Sequence, residues 1–297
     1  MEDIPSTPQR EAIGFVHALA TEVSKGRAEL PSYPEAATRV QRALATPEVD
    51  PAVVVSAVGS EPALALRVLK MANSALLNPM GRQVLDLKTA VSRIGYNMVR
   101  TASVSFVVEQ LRQAESLRDL RPQLAELWQQ SVVLAALSRV IAVRQGRINP
   151  DVALLAGLLH AVGKLYILIR LQAHPSLRAY PATCERILRE WHGGVARAIL
   201  ERWGIPDEVG EAVQECEQLD RELLHAVSLS EVLTAASLLA LCRATVQAQP
   251  PTADDMARLV STHTGLWQRL HIDAPTALTL LHDAESEIQA LHAVLGH

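Results

Sequence analysis

The sequence contains few of the residues on which several classes of protein depend. Only three of its 297 residues are cysteines, at positions 184, 216 and 242, and no two of them form a CxxC pair. This spacing excludes a disulfide framework and predicts reduced thiols in a cytoplasmic protein. Basic residues are not in excess, since the formal net charge is -4 and the isoelectric point is about 6.2. Non-specific nucleic-acid binding needs a strong basic excess, so no DNA partner is expected.

Turn-forming residues are also sparse, and this favours helices. Fourteen glycines and sixteen prolines lie at intervals along the chain, without the Asn-Gly or Asp-Gly pairs that join β-hairpins. Between them apolar residues recur every three or four positions, as at Val40 and Leu44. Proline and acidic residues mark three predicted helix starts, at Asp50-Pro51, Glu61-Pro62 and Ile205-Pro206-Asp207-Glu208. The prediction is an all-α fold.

Two polar segments interrupt the helical pattern. The segment 114–122 is charged and poor in core residues, and the segment 248–255 contains two adjacent prolines. Neither is long enough for a flexible linker, so the parts that they separate are expected to pack together. The sequence therefore predicts two packed helical subdomains, 1–121 and 122–297, the second with a C-terminal helical extension.

One apolar stretch, Val152 to Leu171, imitates a membrane span. It contains His160, Lys164 and Arg170, whereas a spanning helix needs about 20 predominantly apolar residues with few or no charges. A buried core helix is the better interpretation. The segment Met1 to Arg10 is polar and lacks the apolar region of a signal peptide. No membrane association is therefore expected.

The chemically suggestive segment is Gly157 to Leu165, GLLHAVGKL. It resembles the GLLHDIGK string of the HD superfamily of metal phosphohydrolases. In that superfamily the histidine binds a metal ion, and the adjacent aspartate bridges or neutralises one or two divalent ions that activate water. This chain keeps His160 but has Ala161 in place of the aspartate. A methyl group can neither coordinate nor neutralise a cation.

Further blocks resemble one branch of that superfamily, the HDOD domain of bacterial signalling proteins, from about residue 28 to residue 233. The matching blocks begin with LPSYPE at 30–35, EPAL at 61–64, KMANSA at 70–75 and LKTAVSRIG at 87–95, and a later one is WGIP at 203–206. The family-motif positions with a structural role are Pro31, Asn73, Ser74, Gly95, Trp128, Trp203 and Pro206. The resemblance implies that the second subdomain is a degenerate HD-like helical bundle.

The same resemblance implies where the metal ligands of an HD site would fall. These positions are Gln130, His160, Ala161, His192, Cys216 or its neighbour Glu217, and Glu231 or its neighbour Ser230. Two histidines without a certain carboxylate make a poor cage for a hard divalent ion. Zinc held by His160, His192 and Cys216 remains an alternative, because thiolate and imidazole suit it. The prediction is that no metal and no cofactor is bound.

Each of these residues also has an architectural interpretation. His160 lies on an apolar segment, where a hydrogen-bonded core histidine is the commoner outcome. His192 precedes two glycines and is expected to cap a turn. Asn73 and Ser74 are expected to satisfy backbone groups at the end of a helix. Gly95 is expected to supply a left-handed residue between two helices.

Three functions follow from these observations. The first is a non-catalytic regulatory module that acts through protein partners, since the scaffold persists while Gln130 and Ala161 lack ligand chemistry. The resemblance associates such modules with the regulation of motility, biofilm or virulence. The alternatives are a sensor that binds cyclic di-GMP or a related nucleotide without hydrolysis, and a residual metal-dependent phosphohydrolase.

Overall fold

A computed structural model describes residues 7–27, 34–46, 48–218, 226–245 and 250–295. These residues form helices and no strand, so the prediction of an all-α fold is confirmed. The predicted motif position Pro31 lies outside the described residues.

The described part of the chain before Arg121 contains five α-helices and a short 3₁₀ helix. They are α1 (Thr7–Ser24), α2 (Glu35–Ala45), α3 (Pro51–Gly59), α4 (Pro62–Ala72), α5 (Leu87–Gln113) and the 3₁₀ helix (Glu115–Leu120). Ten α-helices follow in the described part of the chain. They are α6 (Arg121–Gln145), α7 (Pro150–Leu159), α8 (Val162–Leu171), α9 (Pro175–Arg178), α10 (Pro181–Arg202), α11 (Asp207–Glu215), α12 (Leu229–Thr245), α13 (Ala253–Thr262), α14 (Thr264–Arg269) and α15 (Ala274–Leu295).

The helix starts show why these segments fold locally. Asp50 accepts a hydrogen bond from the amide of Ala52 at 2.8 Å, and Glu61 caps α4 in the same way through Ala63. A proline occupies the first turn of both helices, as predicted. At α11 the prediction was wrong by one residue, because Pro206 is the residue before the helix and Asp207 begins it.

The core lies around α6 and α7. Helix α6 packs against α7, α12 and α15, and α5 packs against α2, α3, α4 and α7. Every residue from Ala153 to Leu159 is buried. The segment Pro150–Leu171 is long and apolar enough to span a membrane, but 78% of its apolar window is buried inside the protein. It is a core segment as predicted, although it forms two helices that meet at His160 and Ala161.

Helices from both predicted subdomains contact one another. Helix α1 packs against α9 and α10, and α15 packs against α4 and α5. The predicted boundary at residue 121 coincides with the junction between the 3₁₀ helix and α6. Within the polar segment at that junction, Leu117 and Leu120 are buried. The division into two subdomains stays a prediction.

Candidate functional site

Two glycines of the GLLHAVGKL segment bring the neighbouring helices close to it. A Cβ atom on Gly157 would lie 2.4 Å from the Cα atom of Ala135 on α6. A Cβ atom on Gly163 would lie 2.0 Å from the carbonyl oxygen of His192 on α10. Side chains at these positions would clash with backbone atoms, so glycine is required for the close approach of α7 to α6 and of α8 to α10.

His160 is a buried, hydrogen-bonded histidine at the turn between α7 and α8. Its side chain is 8% exposed, and its Nδ1 lies 2.8 Å from the carbonyl oxygen of Gly157. Burial, with the charge of Lys164, lowers the pKa of His160 to about 4. The imidazole is therefore neutral at pH 7, and Nδ1 carries the proton that it donates to the carbonyl.

His192 lies in the middle of α10, so the prediction that it caps a turn was wrong. Its side chain is buried, and its Nε2 donates to Oε2 of Glu217 at 2.9 Å. The other ring nitrogen, Nδ1, is buried and has no hydrogen-bond partner among the described residues. The Nε2 side of the ring is thus held by the Glu217 carboxylate, and the Nδ1 side is buried in the protein.

Glu217 joins His192 to a third charged residue, Lys164. The Nζ atom of Lys164 on α8 lies 2.6 Å from Oε1 of Glu217, which follows α11 by two residues. Burial alone would raise the pKa of Glu217, but the hydrogen bond from His192 and the charge of Lys164 outweigh it and lower the pKa to about 2. The carboxylate is ionised at pH 7. We call Lys164, His192 and Glu217 the polar triad.

The two neighbouring residues at the end of α11 have different partners. Glu217 belongs to the polar triad, whereas the buried Cys216 directs its Sγ atom to the carbonyl oxygen of Val213, 3.3 Å away. Sequence reasoning missed Lys164 as a member of the site. Its place in the GLLHAVGKL segment, four residues after His160, is the signal that could have found it.

Gln130 does not lie where the resemblance implied. It is exposed on α6, and its Nε2 donates to Oε1 of Glu126 at 3.3 Å. Its neighbours Trp128 and Ser131 are the buried residues of this turn, and both line a cavity of about 20 Å³ beside Ala161. The helical periodicity of α6 therefore directs Trp128 and Ser131 to the cavity and Gln130 to solvent.

Glu231 is buried near the start of α12, and its carboxylate is taken up by other partners. It accepts hydrogen bonds from the amide of Ser228 at 2.8 Å and from Nε of Arg269 at 2.6 Å. Burial tends to raise its pKa, but the bonds from Arg269 and Ser228 prevail and hold the pKa below its usual value. Glu231 thus fastens α12 to α14.

The remaining family-motif residues have architectural contacts. Asn73 ends α4, and its side-chain amide binds both the carbonyl oxygen and the amide of Val84 at 2.8 Å. Ser74 donates to the carbonyl oxygen of Met71 at 2.7 Å. Gly95 kinks α5 with a φ of 75°, which confirms the predicted positive φ, although its ψ of 168° is extended rather than left-handed helical. Trp203 packs at the end of α10 against the apolar core.

These residues do not fit the metal centre of an HD phosphohydrolase. Among the described residues no three histidine, cysteine, aspartate or glutamate side chains converge as a metal site, so His160, His192 and Cys216 do not form a zinc site there. Ala161 offers no donor atom. The carboxylate of Glu217, which would attract a metal ion, is already neutralised by the ammonium group of Lys164.

The chain is similar in sequence to other proteins. A model of the HDOD domain matches residues 30–219. An uncharacterized protein of Treponema pallidum (strain Nichols) is 27% identical over 205 residues, which make up 64% of this chain and 38% of that protein. This chain therefore spans well under half the length of that relative.

Solved structures share its fold. A candidate metal-dependent phosphohydrolase from Shewanella amazonensis SB2B has a TM-score of 0.67 at 24% identity, over 93% of this chain and 99% of the other. An HDOD domain protein of unknown function from Geobacter sulfurreducens has a TM-score of 0.62 at 21% identity, over 94% and 97%. A candidate signal transduction protein from Marinobacter aquaeolei VT8 has a TM-score of 0.64 at 21% identity, over 96% and 65%.

Proposed function

Because this chain belongs to the HDOD domain family, we propose that it is a non-catalytic signalling module that acts in the cytoplasm through regulatory protein partners. The fold is that of a family related to metal phosphohydrolases. At the place that corresponds to the metal site of those enzymes, the polar side chains of this chain bind one another. The role that remains for the scaffold is to present a surface to other proteins.

The polar triad is the observation that carries this proposal. Glu217 contacts Lys164 with one carboxylate oxygen and His192 with the other. A divalent ion there would have to displace an ammonium group 2.6 Å away and work without the carboxylate lost at Ala161. Hard divalent ions need several oxygen ligands. The triad offers only the Glu217 carboxylate, which already binds Lys164 and His192.

Metal content and turnover test the loss of catalysis together. The full chain, purified without chelators, would be analysed for iron, manganese and zinc and assayed for hydrolysis of cyclic dinucleotides and a general phosphodiester. We expect substoichiometric metal and no turnover above that of a buffer blank. Stoichiometric metal together with turnover that is lost in His160→Ala would overturn the proposal.

Binding of a nucleotide without hydrolysis has less support at this place. The cavity beside Ala161 measures about 20 Å³, close to the space of a single water molecule, and its lining is mainly apolar. Small-molecule sites usually measure about 300–1,000 Å³. Calorimetric titration with cyclic di-GMP is expected to give no heat of binding, and saturable heat would favour the sensor instead.

Affinity purification would identify the partner protein. The tagged chain would be recovered from its native bacterium and compared with a tagged unrelated helical protein. A protein enriched reproducibly, and recovered again in a reciprocal purification, is the expected result. Failure to recover any partner under mild salt conditions would count against action through proteins.

A further inference from the structure

Arg100 on α5 is the only arginine that is buried among the described residues. It is 6% exposed, and no carboxylate in the described part of the chain lies within ion-pair distance of its guanidinium group. Other arginines with little exposed side chain do have such a partner, since Arg67 contacts Glu109 and Arg139 contacts Glu287. A buried charge is costly unless it is paired. Arg100 therefore lacks the counter-charge that its burial calls for.

The contacts of Arg100 are with uncharged acceptors on α2. Its Nε donates to Oε1 of Gln41 at 3.3 Å, and its Nη2 donates to the carbonyl oxygen of Leu44, in the last turn of the helix, at 3.0 Å. The carbonyl end of a helix carries roughly half a negative charge, so it offsets the guanidinium only in part. These contacts also leave several guanidinium N–H groups without an acceptor among the described residues.

The side-chain amide of Gln41 adds further donors at the same place. Gln41 is 4% exposed, and its Nε2 is buried without a hydrogen-bond partner among the described residues. Its orientation is fixed, because turning the amide over would set its NH₂ group against the Nε–H of Arg100. Since Nε2 and Oε1 are bonded to one carbon atom, the free NH₂ group lies beside the guanidinium. The place between α2 and α5 is thus rich in donors and poor in acceptors.

We infer that Arg100 and Gln41 bind a small monovalent anion, of the size of chloride or formate, between α2 and α5. Such an ion would accept N–H groups of both side chains and supply the negative charge that the chain does not. Water would accept the same bonds but would leave the guanidinium charge unpaired. An anion as large as a nucleotide has no access, since both residues are more than nine-tenths buried. The site shares no residue with the polar triad and goes beyond the proposed function.

Thermal unfolding of the full chain tests the inference. Sodium chloride or sodium formate would replace sodium gluconate at constant ionic strength, because gluconate is too large for a buried site. An ion that binds only the folded chain raises its melting temperature. We expect a saturable rise of about 2 °C or more in chloride or in formate. The line width of the chloride NMR signal, which grows when the ion binds a protein, detects binding directly.

Gln41→Glu is the most informative variant, because it places a carboxylate of the chain itself beside Arg100. We expect it to melt at least as high as the wild type in gluconate and to lose the response to chloride and formate. Arg100→Met removes the charge and should lose the response as well, and Gln41→Glu decides alone if that variant does not fold. The matched control is Gln129→Glu, which adds the same charge at an exposed glutamine on α6 and should keep the response.

The inference is overturned if chloride, formate and gluconate give the same melting temperature, or if Gln41→Glu responds to the small anions as the wild type does. A chloride line width that is equal in the wild type and in Gln41→Glu, with no response to formate, overturns it too. A response to only one of the two ions supports the inference and names the ion. None of these results bears on the proposed function, which metal content, turnover and recovery of a partner test separately.

Discussion

The ammonium group of Lys164 lies 2.6 Å from Oε1 of Glu217, a residue 53 positions later in the chain. Through Glu217 the contact continues to His192, so α8, α10 and the end of α11 meet at three polar side chains. The ammonium group of Lys164 thus neutralises the Glu217 carboxylate, which could otherwise bind a metal ion. Where the resemblance implies a metal ion, the three side chains of the polar triad bind one another.

Lys164→Met is expected to destabilise the protein by about 1–2 kcal/mol, between the values typical of exposed and of buried ion pairs, because Lys164 and Glu217 are partly exposed. Urea unfolding at pH 7 measures the change. The matched control is Lys70→Met, a change at an exposed lysine on α4 that makes no ion pair within the described residues. That control should stay within about 0.5 kcal/mol of the wild type. Equal effects of the two substitutions would contradict the role of the triad.

The pKa of Glu217 predicts how stability depends on pH. Its value of about 2 in the folded protein is below the ordinary 4.5, so ionised Glu217 stabilises the folded state above about pH 4.5, and this contribution is lost as the pH falls towards 2. Glu217→Gln should therefore cost stability at pH 7, by about 1–2 kcal/mol after allowance for solvent screening. The difference between variant and wild type should shrink between pH 5 and pH 3 in urea unfolding. A difference that does not change with pH would rule out this electrostatic origin.

The sequence predicts the fold well and the site only in part, for physical reasons. Helical periodicity and proline caps identify the helices because these signals are local, as at Pro51 and Pro62. The triad is not local, since Lys164, His192 and Glu217 come from three separate segments, and one sequence does not reveal which side chains meet. The same limit explains Gln130. It is exposed to solvent, whereas the next residue along α6, Ser131, is buried.

Gly163→Ala is expected to destabilise the protein by about 3 kcal/mol or more, because the new methyl group would lie 2.0 Å from the carbonyl oxygen of His192 and backbone must move. Gly194→Ala is the matched control, since it also lies in a packed helix but a Cβ atom there meets nothing within 4 Å. Helix propensity predicts that the control gains about 0.5–1 kcal/mol. Thermal and urea unfolding measure both. Similar losses in the two variants would show that α8 and α10 are not so closely packed.

Ala161→Asp tests whether a carboxylate at position 161 would let the site bind a metal ion. Ala161 is 4% exposed beside an apolar cavity, so a carboxylate there should cost about 2–5 kcal/mol of stability. Because Lys164 still neutralises Glu217, we expect the variant to gain no Mn²⁺ binding. The melting temperature with and without Mn²⁺ measures this, and Ala161→Asn is the control of equal size without charge. A rise in melting temperature with Mn²⁺ in Ala161→Asp, absent in Ala161→Asn, would show that the triad leaves room for a metal ion and that the loss of one carboxylate is what silenced the site.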